Sequence, residues 1–87
     1  MKKSQIKHLS SVAALSCACC GNNPPSCVHH IREGQGMAQR ASDFLTIPLC
    51  PDCHQGPTGV HGDQSIMRIY KLTELSMLAN TIELLQE

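Results

Sequence analysis

Apolar residues near the amino terminus recur at helical spacing: Ile6, Leu9 and Val12 or Ala13 fall on one side, which predicts a short helix capped by Ser4 and ending near Cys17. Gly21, Asn22, Asn23, Pro24 and Pro25 cannot continue a helix, so the chain must turn there. Cys27 to Ile31 then reads as a short strand and Phe44 to Leu49 as a second one. Arg32 to Ser42, with Gly34 and Gly36 and no apolar period, joins them as the long tip of a hairpin. Pro51 suits the first turn of a short helix over Asp52, Cys53, His54 and Gln55, which Gly56 and Pro57 stop. Asp63 is expected to cap a helix carrying Ile66, Met67, Ile69 and Tyr70. Thr73 is expected to cap another carrying Leu75, Leu78, Ala79, Ile82 and Leu85. The last stripe serves either as packing over the hairpin or as a dimer face. With no repeats or linkers, the expectation is one α+β domain over 1–87, with a helical part at 63–87.

Composition makes the need for a staple plain. Eighty-seven residues bury little surface, and although 41% are hydrophobic, Phe44 and Tyr70 are the only aromatics. Small domains with so poor a core usually need a disulfide, a metal or a partner copy. No apolar run approaches the roughly 18 residues of a membrane span, which points away from a membrane partner.

Cys17, Cys19, Cys20, Cys27, Cys50 and Cys53 are even in number, as a secreted disulfide framework would require. Their spacing favours metal. Cys17 with Cys20, and Cys50 with Cys53, form two C-x-x-C pairs, each delivering two thiolates to one ion, so the four complete a tetrahedral structural zinc site. Polar Gln5, Lys7, His8, Ser10 and Ser11 interrupt the basic start, leaving no signal-peptide core and predicting a cytoplasmic, reducing location. Cys19 and Cys27 read as small buried hydrophobes, and either can substitute as a ligand.

His29, His30, His54 and His61 are left over to hold an open-sited metal and move protons. Neighbours on a strand start on opposite faces, so one of His29 and His30 can bind metal while the other acts as a base. His8 reads as structural or merely exposed. Net charge is zero, but Lys2, Lys3, Lys7, Arg32 and Arg40 face only Glu33 in the first half. Arg68 and Lys71 are outweighed by Asp43, Asp52, Asp63, Glu74, Glu83 and Glu87 in the second. That polarity marks either an amino-terminal side facing DNA or a solvated basic tail.

The segments CACCG (Cys17 to Gly21), PSCVHHI (Pro25 to Ile31) and PLCPDCH (Pro48 to His54), followed by His61, resemble an HNH endonuclease of the ββα-metal, treble-clef type. More narrowly, HHIREGQGMAQRASDFLTIPLCPDCHQGPTGVHG is similar to phage recombination-enhancement nucleases of the RecA-dependent Ref type and their small prophage relatives. The resemblance covers about residues 12–62, its motif core, and implies a zinc-stapled hairpin-plus-helix core with a flanking amino-terminal helix and two carboxyl-terminal helices. It assigns His29 to a metal ligand, His30 to the general base, His54 to a second ligand and His61 to a third. His61 departs from the common spacing, lying beyond His54 across a glycine-proline break instead of one helical turn away. The family's middle asparagine is replaced by Leu45; Asp43 is the nearest polar substitute, able to accept the imidazole N–H or simply to shape the turn.

By the same resemblance, the expected activity is metal-assisted hydrolysis of DNA phosphodiesters in a bacterial host cell, with magnesium as the expected divalent ion, manganese or zinc as the alternatives, and 5′ phosphates as products. Arg32, Gln39 and Arg40 are the expected DNA-backbone contacts. Neutral charge implies weak intrinsic DNA affinity, hence help from a recombinase filament or from homodimerisation. The competing readings are a non-catalytic zinc module that binds DNA or protein, and a redox or metal-storage protein.

Overall fold

The computed structural model describes residues 2–32 and 41–87. Its elements are α1 (Lys3–Ala13), β1 (Cys27–His30), β2 (Thr46–Leu49), α2 (Pro51–Gln55), α3 (Ser65–Ile69) and α4 (Glu74–Leu85), a small α+β arrangement. β1 and β2 form one antiparallel pair in which Cys27 faces Leu49, Val28 Pro48, His29 Ile47 and His30 Thr46. Both strands are shorter than predicted. Ile31 still donates to the Leu45 carbonyl at 2.9 Å, but Ser42 to Leu45 form a turn in which Leu45 donates to the Ser42 carbonyl at 3.2 Å and Phe44 to the Ser42 hydroxyl at 3.1 Å. Phe44 and Leu45 are therefore exposed turn residues, not strand residues. Of the predicted tip, 33–40 lies outside the described residues.

The helices cover this pair. α1 lies against both strands, α4 against β2 and α1, and α2 against both strands. Val12, Ile47, Leu49 and Met77 are fully buried between them. Thr81 is buried with them at little cost because its hydroxyl donates to the Met77 carbonyl at 2.8 Å.

Three helices depart from the pattern expected of them. α1 starts ahead of Ser4: the Gln5 Oε1 accepts the Lys2 N–H at 2.8 Å and closes the first turn. Its inward face is Gln5, His8, Leu9 and Val12, while Ile6 is exposed. Gln64, at φ 64°, is the N-cap of α3, with Asp63 Oδ1 accepting the Ser65 N–H at 2.9 Å, and the helix closes at Ile69, before Tyr70. In α4 the Thr73 cap holds, its hydroxyl accepting the Ser76 N–H at 3.0 Å while Ser76 Oγ accepts the Thr73 N–H at 2.9 Å. The helix is nonetheless rotated from the expected stripe: Met77 and Thr81 point inward with Leu78 and Leu85 beside them, whereas Leu75, Ala79 and Ile82 face solvent. Among the described residues no helix is long and apolar enough to cross a membrane.

Between α2 and α3 the chain folds back over the end of α2. Val60 donates to the Cys53 carbonyl at 2.7 Å and His61 to the His54 carbonyl at 3.0 Å. Gly59 makes this possible, since a Cβ there would stand 2.6 Å from the carbonyl oxygens of both Asp52 and Cys53. Gly59→Ala is expected to lower stability by about 1–3 kcal/mol, read as a lower urea midpoint at unchanged slope.

Candidate functional site

The first pair of cysteines sits where α1 gives way to a tight turn. Gly21, at φ 80°, lets the chain double back, Gly21 N–H bonds the Cys17 carbonyl at 2.9 Å, and Cys20 N–H points at Cys17 Sγ at 3.4 Å. The Ala18 N–H bonds the Pro48 carbonyl at 2.8 Å, which fastens this turn to the end of β2, where Cys50 begins the second pair. Cys53 lies one turn into α2. One sulfur from each of Cys17, Cys20, Cys50 and Cys53 lies within 4.8 Å of all the others, and Cys20 Sγ and Cys50 Sγ are 3.6 Å apart. A tetrahedron with metal–sulfur bonds of about 2.3 Å has edges of about 3.8 Å, so four closely placed thiols of this kind can hold a metal such as zinc.

The protonation chemistry fits the same reading. Burial pushes the Cys17 thiol up, but the N–H groups of Cys20, Cys50 and Cys19 outweigh it and bring it down to about 7. Cys53 is driven strongly upward, by burial first and then by the Cys50 and Cys20 thiols beside it. Thiolates this close repel one another, and a bound cation removes the conflict. Cys19 is buried in the core beside them, its thiol raised by burial, and Cys27 is half-buried on β1.

A second cluster occupies the other end of α2. His29 projects from β1, His54 from α2 and His61 from the folded-back loop; one nitrogen of each lies within 4.8 Å of the others. The three rings meet edge to face, with centroids 4.7 to 5.3 Å apart, and His54 Nε2 lies 3.1 Å from His61 Nε2. His61 thus reaches the cluster despite its unusual spacing, because the fold-back replaces the helical turn. His29 is 5% exposed, and among the described residues neither of its ring nitrogens has a hydrogen-bond partner. Leaving a buried polar group unsatisfied costs about 1–3 kcal/mol, and an ion at the centre of the three rings would take up one of these two nitrogens.

Burial, reinforced by the His61 and His30 imidazoles, lowers His29 to about 4; burial and the same kind of neighbours lower His54. Both rings are therefore neutral and available as ligands at neutral pH. Between about pH 6.5 and 4 the unfolded chain binds the His29 proton and the folded chain does not, so stability falls as pH falls through that window. With the thiol site loaded and no further divalent ion added, urea midpoints are expected to drop from pH 7 to pH 5. His29→Leu should flatten that slope while leaving the thiolate contribution in place.

His30 turns to the other side of β1. Its Nε2 is 2.9 Å from Asp43 Oδ1, and Asp43, 4% exposed, also accepts a bond on Oδ2 from Gln5 Nε2 at 3.1 Å. Asp43 combines the two alternatives its position suggested, since its backbone carbonyl also accepts the Thr46 hydroxyl at 3.1 Å and shapes the strand start. A carboxylate accepts, so the Nε2 it meets carries a proton, and in the neutral ring Nδ1 is then the acceptor.

His29, His30, Arg32, His61, Glu74 and Leu75 help to line one open cleft of about 690 Å³. Arg32 is exposed there; Gln39 and Arg40 lie outside the described residues. Two residues were not anticipated. Glu74, in the first turn of α4, brings Oε1 to 3.7 Å from His29 Nε2. Gln5 crosses from α1 to Asp43. Both act over long sequence distances, and only the capping residue Thr73 hinted that an acid would open α4.

The chain belongs to the DUF968 family, described as a protein of unknown function, whose model matches residues 1–84. Comparison with curated proteins and with solved structures gives no match.

Proposed function

We propose that this DUF968 chain is a metal-dependent DNA endonuclease of the HNH, treble-clef kind. Cys17, Cys20, Cys50 and Cys53 hold its structural zinc, and His29, His54 and His61 hold a second, working ion. The observation that carries the reading is the convergence of three imidazoles beside a strand-borne His30–Asp43 pair, with His29, His30 and His61 on one cleft. His29, His54 and His61 would hold a divalent ion, and the chemistry it would supply there is Lewis-acid stabilisation of charge on the scissile phosphate and the leaving 3′ oxygen. His30 Nδ1 takes the proton from the attacking water, and Asp43 holds the ring in the required tautomer and orientation. Arg32, on the rim, meets the phosphate backbone and positions it without reading sequence. Products carry 5′ phosphates.

Three nitrogen donors suit zinc or another late first-row ion better than magnesium, which prefers oxygen ligands. Zinc and manganese are therefore the ions to supply first, with magnesium after them. Formal net charge is zero, and Arg32 shares its cleft with Glu74 and Leu75, so phosphate attraction is weak. A recombinase filament that presents the DNA, or a second copy docked through the exposed face of α4, would compensate. The same neutrality favours the second reading, a zinc module that binds protein or DNA without cutting it. Supercoiled plasmid incubated with the purified protein and each ion separates the two. Nicked circles with 5′-phosphate ends support the nuclease; intact plasmid under every ion, with and without recombinase filaments, rejects it.

A further inference from the structure

We propose that Gln5 is a positioning residue for the base: its side-chain amide ties α1 to Asp43 and thereby fixes the His30 ring. The inference rests on the nuclease reading for its effect on turnover, and on geometry alone for its effect on the ring. Gln5 stands on the inward face of α1, in register with His8, Leu9 and Val12, at a position where an apolar residue would serve packing better. Both ends of its amide are engaged, Oε1 by the Lys2 N–H at 2.8 Å and Nε2 by Asp43 Oδ2 at 3.1 Å, so the orientation of the amide is fixed by its partners. Asp43 Oδ1 in turn takes the His30 Nε2 at 2.9 Å. The chain of contacts runs Lys2, Gln5, Asp43, His30. Asp43 is held by its side chain from α1 and by its backbone carbonyl from Thr46, which leaves the carboxylate little freedom to swing from the ring.

Two roles of Gln5 can be separated chemically. Gln5→Glu keeps an acceptor for the Lys2 N–H, and so keeps the helix start, but replaces the donor facing Asp43 with a second carboxylate oxygen. The expected result is a fall in kcat of about tenfold, the lower end for an outer partner that orients a functional group, with KM changed less than about twofold. In parallel, the downfield ring N–H resonance of His30, identified by its loss in His30→Ala, should broaden through faster exchange with water. Zinc content should match the wild type, while the melting temperature falls because the new carboxylate faces the buried Asp43. If Gln5→Glu fails to fold, Gln5→Met, which keeps the length without either polar end, is read in the same two ways. Undiminished turnover or an unchanged ring N–H resonance overturns the proposal. Should the wild type not cut DNA at all, the nuclease reading fails, while the resonance still decides whether Gln5 holds the dyad.

Discussion

His30→Ala is expected to slow plasmid nicking by about 10²–10⁴-fold, the usual contribution of a positioned general base, while zinc content and melting temperature stay at wild-type values. The ring is part-exposed and bonded through Nε2 to Asp43, so its removal leaves the core of Val12, Ile47, Leu49 and Met77 untouched. What it removes is the imidazole that borders the same cleft as His29 and His61 and is held through Nε2 by a carboxylate, the geometry the proposed proton acceptor needs. Initial rates of nicked-circle formation under saturating divalent ion make the measurement. Equal rates in variant and wild type would trace the activity to a contaminant and remove His30 from the mechanism.

Cys53→Ser is expected to abolish the folded state outright. Structural zinc contributes about 10–16 kcal/mol of apparent binding free energy in small zinc modules at neutral pH, against about 5–15 kcal/mol of net stability for a typical domain. Few large side chains are fully buried among the described residues, so little remains to hold the hairpin and α2 once the sulfur tetrahedron is broken. Cys53 also directly precedes His54 on a five-residue helix that has too few turns to stand alone. Losing the thiolate site therefore disperses the imidazoles as well. Far-UV circular dichroism and metal content are the readouts, with Cys19→Ala as the contrast that should retain its metal. A folded Cys53→Ser protein melting within a few degrees of the wild type would show that the thiols do not staple the fold.

Local chemistry made parts of this legible from sequence. The paired cysteine spacing, Pro51 at the start of α2 and the Thr73 cap are each decided within a few residues, and the structure places all of them as expected. The alternation of His29 and His30 was equally local, because strand geometry alone sends neighbours to opposite faces. Failures came where distant packing chose between equivalent options. α4 offers apolar residues nearly all round, so its own pattern could not say that Met77 and Thr81, not Leu75 and Ile82, would meet β2. Likewise Gln5 looks like any polar helix residue until α1 is laid against the turn that carries Asp43. His61 joined the cluster through backbone bonds that need Gly59, a device with no helical spacing to reveal it.

The contact between α1 and Asp43 has a practical side for anyone preparing this protein. Because the Lys2 N–H starts the hydrogen-bonded line to His30, a change to the first turn of α1 is felt at that ring. Gln86 and Glu87, by contrast, are exposed and bond back to the last turn of α4, so a change there leaves that line alone.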